Sequence, residues 1–312
     1  MKKVLVSCPP MLGMLDEFLD FAAGFDLELI PAEMTQVLTQ EQLVALLPNY
    51  DGWIIGDDPA TKKVFAAGVE GRLTAAVKWG IGVDNVDFDA CKELGIPITN
   101  TPNMFGGEVA DLAVGYLIAL ARQTFEIDRE IREGGWPKPP GMSIAGKTIG
   151  IVGFGDIGHS LVKRLSGFDV FAVVYDPGVD GDQGFEFVER KSFPESLIEL
   201  DFLIFTCALN EHNFHMLNAE TLAMMKSGAS VINVARGPLI DESALIASLK
   251  DGSLFSAALD VFEEEPLAVN SELRALPHCV FGSHNGSNTV EGVRRASHEA
   301  ITKLGQFMSE LS

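Results

Sequence analysis

Short apolar runs alternate along this chain with stretches whose apolar positions recur at helical spacing. Over the first hundred residues the runs KVLVS (3–7), DLELI (26–30), GWII (52–55), AAVKW (75–79) and PIT (97–99) read as strands. Residues 15–21, 40–47, 62–67 and 88–94 read as helices. This alternation predicts a parallel sheet with helices on both faces. A second alternation starts at Thr148, with TIGIV, VFAVVY, FLIFT, SVINV, FSAALDV and CVF as strands separated by helical segments. Between the two halves lies 106–136, a helical stretch with few turn signals before Gly134. It is apolar around most of its first half, which predicts burial between domains or subunits. The segment PKPPGMSIAGK (137–147) reads as a hinge or linker, and a last helical pattern follows Glu291. No solenoid repeat or low-complexity tract interrupts the scheme.

Composition narrows the class. The 312 residues suffice for two domains with full cores, and 47% hydrophobic with 21% charged is ordinary for a globular protein. The formal charge, 23 − 44 = −21, argues against nucleic acid and anionic membranes as partners. An anionic small substrate would need a dedicated cation. Cys8, Cys91, Cys207 and Cys279 are scattered without a CxxC pair, as expected of free thiols in a reducing compartment. The opening MKKVLVSCPPMLG has too short an apolar run for a signal peptide, and Pro9-Pro10 interrupt it. No stretch approaches the roughly 20 apolar residues of a membrane-spanning helix. A cytoplasmic protein is expected.

Two motifs carry chemistry. IGIVGFGDIGHS follows the first strand of the second half and opens a helix, so Gly153, Gly155 and Gly158 form G-x-G-x-x-G in its informative context. Gly153 permits the tight turn, Gly155 lets a pyrophosphate approach the backbone, and Gly158 permits close helix–strand packing. Asp156 and Ile157 begin the helix whose N-terminus faces the phosphates. The next strand, VFAVVY, ends at Asp176, where a carboxylate would bind the adenosine ribose and repel an extra phosphate. Pro177 and Gly178 offer no arginine to receive that phosphate, so NAD is the expected cofactor.

The second motif is SVINVARGPLIDESAL (230–245), a buried strand that ends in an arginine. Gly237-Pro238 break the strand and Asp241 opens a helix, so Arg236 projects from the carboxyl end of a parallel strand. Alone, Arg236 would be read as an ion pair capping its turn.

The segments KWGIGVDNVD, GIPITNTPNMFGGEVADLAVGYLIALAR, VGFGDIG, VVYDP, INVARGPLIDESAL, ALDVFEEEPL and SHNG resemble, in order and spacing, the D-isomer-specific 2-hydroxyacid dehydrogenases. The resemblance covers nearly the whole chain. It implies an α/β protein of two doubly wound parallel-sheet domains. A Rossmann NAD domain (105–285) would be inserted into a flavodoxin-like substrate domain (1–104 and 286–312), with the active site in the cleft between them. Residue by residue, it implies that Arg236 is the catalytic arginine, His284 the acid/base and Glu265 its carboxylate partner. Chemistry supports each role. A guanidinium can engage a 2-oxo acid's carboxylate and carbonyl together, and hydride reduction needs a proton that a carboxylate-paired histidine can supply. The other histidines read as surface or structural.

The resemblance also implies that Asp260 lies near the nicotinamide amide and that Thr206 lines the dinucleotide path. It makes Ile81 and Gly82 main-chain donors to the substrate carboxylate. Lys78 either adds charge to the substrate site or merely snorkels from a strand end. The helix at 108–128 and the loop around Trp136 resemble the family's dimer arm, so a homodimer is expected. Departures from the family pattern at Asp111, Ala208, Ser283, Asn285 and Ser287 remove no reactive group.

The reading is therefore hydride transfer between NAD and a small D-2-hydroxy or 2-oxo acid. The nearest alternative is phosphoglycerate dehydrogenase, which Gly56-Asp57-Asp58 opposes, because two carboxylates at that turn would repel a phosphate. Of another class is an NAD-sensing corepressor, for which the chain shows no added tail. A catalytically dead NAD-binding subunit is opposed by the intact Arg236, Glu265 and His284.

Overall fold

The computed structural model describes residues 1–34, 36–179 and 184–310. The chain divides into two compact units, Met1–Met104 together with the segment from Asn288 onward, and Phe105–Ser287.

The first unit runs β1 (Lys2–Val6), α1 (Pro9–Leu12), α2 (Leu19–Ala23), β2 (Leu27–Pro31), α3 (Gln40–Leu46), β3 (Gly52–Ile55), α4 (Lys62–Glu70), β4 (Ala75–Lys78), α5 (Phe88–Leu94) and β5 (Ile98–Asn100). Its strands lie in the order β2-β1-β3-β4-β5, all parallel, the flavodoxin-like order. β3 and β4 are buried at every position, which is why they read as unbroken apolar runs. Local chemistry sets the helix ends: Thr39 and Gln42 form a capping box before α3, and Asp87 caps α5. Trp53, Phe65, Leu43 and Leu47 form the centre of one core layer. Each fully buried side chain of this kind contributes about 1.5–3 kcal/mol relative to exposure. The C-terminal helix (Val290–Glu310) packs close to the sheet: a Cβ on Gly52 would lie 2.3 Å from Met308 Cε. Trp79 Nε1 anchors the same helix by donating to Ser297 Oγ at 3.1 Å.

The second unit runs α6 (Gly106–Arg122), α7 (Thr124–Arg132), β6 (Thr148–Val152), α8 (Asp156–Leu165), β7 (Phe171–Tyr175), β8 (Val188–Arg190), β9 (Phe202–Phe205), α9 (Ala219–Ala223), β10 (Ala229–Asn233), α10 (Glu242–Lys250), β11 (Leu254–Leu259) and β12 (Cys279–Phe281). The order β12-β11-β10-β9-β6-β7-β8, parallel throughout, is the Rossmann order with one further strand. The strand order reverses between β6 and β9. A ligand crevice is expected outside the carboxyl ends of those two strands.

Two details differ from the sequence-based expectation. The helical stretch after Gly106 is two helices, because Gln123 takes a left-handed conformation (φ 53°) that ends α6 and starts α7. α6 buries Val109, Ala113, Tyr116, Leu117 and Leu120, whereas α7 buries nothing. The edge strand β8 adds a strand that the sequence does not predict, since its three residues, VER, carry no apolar pattern.

Candidate active site

The glycine loop lies at the carboxyl end of β6. Gly153 has φ 95°, and a Cβ there would come within 2.7 Å of Cys207. A Cβ on Gly158 would lie 2.1 Å from the Gly153 carbonyl oxygen, so α8 can approach the strand only because position 158 is glycine. At Gly155 a Cβ would meet nothing within 4 Å, which leaves open space beside the N-terminus of α8. That combination of open loop, free helix N–H groups and close packing suits a pyrophosphate.

Asp176 follows β7 and faces this loop. Its Oδ2 accepts from Phe154 N at 2.6 Å and its Oδ1 from Gly178 N at 2.8 Å. The structure corrects one part of the cofactor argument. An arginine does reach this turn, since Arg190 of β8 donates to the Asp176 carbonyl at 2.7 Å. Pairing of β7 with β8 brings it there from 14 residues away, a proximity the local sequence does not display. The Thr206 hydroxyl turns inward and donates to the Gly153 carbonyl at 2.8 Å, bracing the underside of the loop. Ile157 is half-buried in the first turn of α8. Asp156 folds back against α6: a Cβ on Gly106 would lie 2.2 Å from its Oδ1, and its Oδ2 is buried without a partner among the described residues. Asp111 on α6 pairs with Arg164 on α8.

Arg236, Glu265 and His284, the residues expected to carry the chemistry, follow the carboxyl ends of β10, β11 and β12 respectively. Arg236 follows β10 and is half-buried, with Nη1 donating to the Ala235 carbonyl at 2.8 Å. Asn233, which the sequence reading did not single out, ties this turn together. Its Nδ2 donates to the Arg236 carbonyl at 2.8 Å and its Oδ1 accepts from Ala235 N at 3.1 Å. Gly237 lets the turn press on the 262–265 loop, since a Cβ there would fall 1.9 Å from Phe262 backbone atoms.

Within that loop Glu265 Oε1 accepts from Phe262 N at 2.9 Å, and its Oε2 lies 2.7 Å from His284 Nδ1. Carboxylates accept, so the neutral imidazole carries its proton on Nδ1 and exchanges the second proton at Nε2. Both side chains are about one-quarter exposed, 24% for His284 and 27% for Glu265. Asp260 is 1% exposed. Burial raises its carboxyl above the usual range, against the pull of the Asn285 and Gly286 N–H groups, His284 and Tyr116.

Lys78, Ile81 and Gly82 belong to the first unit. Gly80 N donates to Thr101 Oγ1 and Asn100 Nδ2 to the Ile81 carbonyl, while among the described residues no hydrogen bond engages the N–H groups of Ile81 or Gly82. Lys78 is 2% exposed, and its ammonium donates to the Gly56 carbonyl at 2.6 Å and to Asp57 Oδ1 at 2.9 Å. Asp57 thus offsets part of the charge that Lys78 would bring to a substrate site. Asp58 also departs from the reading of the Gly56-Asp57-Asp58 turn. It is fully buried, accepting from Leu38 N at 2.8 Å and from the Ser7 hydroxyl, so it does not face an incoming anion. Among the described residues there is no cluster suited to a metal ion and no helix long and apolar enough to cross a membrane.

Residues 114–286 match the family model for the D-isomer specific 2-hydroxyacid dehydrogenase, NAD binding domain. A hydroxypyruvate reductase of Thermotoga maritima is 35% identical over 274 residues, covering 86% of this chain and 88% of its own length. A glyoxylate reductase of Pyrococcus horikoshii is 34% identical over 307 residues, covering 94% and 87%. Among solved structures, the D-lactate dehydrogenase of Escherichia coli superposes with a TM-score of 0.85 at 26% identity, over 99% of this chain and 97% of that one. With an NAD-binding domain of this kind and reductases of this similarity, the chain belongs to the D-isomer-specific 2-hydroxyacid dehydrogenases and is an NAD-dependent oxidoreductase.

Proposed function

We propose that the protein reduces a small, unphosphorylated 2-oxo acid, of the size of glyoxylate or hydroxypyruvate, to the D-2-hydroxy acid. The observation that carries the reading is the 2.7 Å contact between Glu265 Oε2 and His284 Nδ1 in the same unit as Arg236. Bound NADH supplies the hydride. Glu265 stabilises the imidazolium of His284, whose Nε2 then gives the proton that turns the reduced carbonyl oxygen into a hydroxyl. Arg236 offers a planar guanidinium at a strand end to bind the substrate carboxylate and polarise the carbonyl. In the first unit we assign carboxylate recognition to the N–H groups of Ile81 and Gly82. The names of the relatives, hydroxypyruvate and glyoxylate reductases, support the size class.

We also assign it to the cytoplasm, because all four cysteines are free thiols. It is assigned as a homodimer as well, because Phe125, Ile131 and Trp136 are exposed apolar side chains on and beyond α7. The deciding experiment follows loss of NADH absorbance with glyoxylate, hydroxypyruvate, pyruvate and a longer 2-oxo acid. Turnover of a two- or three-carbon acid supports the proposal. No turnover of any would overturn it.

A further inference from the structure

Asp260 is the hub of the turn that carries His284. Its backbone carbonyl accepts from His284 N at 2.6 Å, and its Oδ2 accepts from Gly286 N at 2.9 Å. The second carboxylate oxygen, Oδ1, accepts from the hydroxyl of Tyr116 at 3.3 Å. Tyr116 reaches it from the buried face of α6 and is itself 6% exposed. The approach depends on Gly282, where a Cβ would lie 2.0 Å from Asp260 Oδ1 and 2.4 Å from Tyr116 Oη.

His284 needs such support. Its φ is 56°, a left-handed conformation that a side chain with a Cβ adopts at a cost of about 1–2 kcal/mol. The main-chain bond to Asp260 and the side-chain bond to Glu265 hold it from two sides. Around the Asp260 carboxylate, α6 supplies Tyr116 and the apolar Val109 and Leu112 beside Gly286, and the 284–286 turn supplies His284. The charged partner on the far side of His284 is Glu265. Burial and the neighbouring Asp260 push the Tyr116 phenol up, so it remains a donor.

We propose that Tyr116 is a positioning residue of the acid–base centre. Its hydroxyl fixes the Asp260 carboxylate where that group clamps the 284–286 turn, and so sets the orientation of His284 toward Glu265. The inference rests on the assignment of His284 as the proton donor. It adds a residue of α6 that reaches the chemistry through Asp260.

Tyr116→Phe tests it, because the ring stays and only the hydroxyl leaves. Without that donor Asp260 is harder to ionise, and the imidazolium loses part of a neighbouring negative charge. The His284 imidazole, followed by NMR and assigned with a His284→Gln sample, should titrate about half a pH unit lower. The alkaline limb of 2-oxo acid reduction should move the same way. We expect kcat to fall about 3- to 30-fold, with NADH affinity within about twofold of wild type.

Asp260→Asn should lower the midpoint further, and adding Tyr116→Phe to it should change nothing more, since the hydroxyl acts through that carboxylate. An unchanged midpoint and pH profile in Tyr116→Phe would overturn the proposal, as would full additivity of the two substitutions. The titration needs no substrate. If the wild-type protein reduces no 2-oxo acid, the functional reading fails while the link from Tyr116 to His284 is still decided.

Discussion

Truncating Arg236 or His284 should remove chemistry without loosening the dinucleotide, because neither belongs to the glycine loop. Arg236→Ala should lose about 10²-fold or more in kcat, the usual effect of deleting one electrostatic stabiliser. His284→Ala should lose about 10²–10⁴-fold, with NADH binding by fluorescence titration preserved in both. Near-full turnover by His284→Ala at neutral pH would show that the proton comes from elsewhere. Asp176 makes the converse case. Its carboxylate takes the Phe154 and Gly178 N–H groups beside the glycine loop, where an adenosine ribose would be expected. Asp176→Ala should therefore weaken NADH and narrow the preference over NADPH, the more so because the Arg190 guanidinium lies at the same turn. Equal use of NADPH by the wild-type protein would remove the basis of this prediction. The Asp176 end was legible because it hangs on a local motif, Gly153 to Gly158 followed by a strand. Arg190 was not, since only pairing of β8 with β7 brings it near.

Among the elements, β3 and β4 were legible because burial on both faces leaves an unbroken apolar run. The break at Gln123 was not, because no glycine or proline marks that left-handed residue. Side-chain direction after a strand was equally hidden, as Asp57 and Asp58 show. Asp57 stays exposed and pairs with the buried Lys78, while Asp58 turns inward and joins the ends of β1 and β3 to the segment at Leu38. Ser7 Oγ donates to Asp58 and accepts from Trp53 Nε1 at 2.8 Å, so the carboxyl completes a buried network. Asp58→Ala should cost about 1–3 kcal/mol in urea unfolding, since it orphans the Ser7 hydroxyl and the Leu38 N–H. Burial raises the Asp58 carboxyl, so the folded state holds its proton more tightly than the unfolded chain does. The stability linked to that proton is fully present below the unfolded value of about 3.9, and is lost as pH rises through the folded value. An Asn side chain cannot ionise. The stability of Asp58→Asn relative to wild type should therefore increase between pH 4 and pH 8, and a flat difference would mean that the buried group does not titrate.

For the whole molecule the open question is how an acidic protein treats substrates of different charge. Its net charge of −21 acts on every anion alike, but salt screens that term beyond about 8–10 Å. Discrimination must come from near groups. A phosphorylated 2-oxo acid brings about 1.5–2 further negative charges, which need a cation with spare capacity. At the carboxyl end of β3 and β4 the buried cation is Lys78, and its ammonium is committed to Asp57 and the Gly56 carbonyl. Asp58 no longer contributes the repulsion expected of it, yet the turn still offers no net positive charge to replace the phosphate's lost hydration. Hydroxypyruvate should therefore exceed 3-phosphohydroxypyruvate in kcat/KM by about tenfold or more, equivalent to ~1.4 kcal/mol in transition-state stabilisation. Asp57→Asn releases the Lys78 charge. This variant should narrow the gap by raising kcat/KM for the phosphorylated acid while leaving that for glyoxylate within a few-fold. Side-by-side progress curves at constant ionic strength measure both ratios. A wild-type preference for the phosphorylated acid would mean that a cation outside this turn governs the choice, and an Asp57→Asn variant with an unchanged ratio would show that the Lys78 pair takes no part in it.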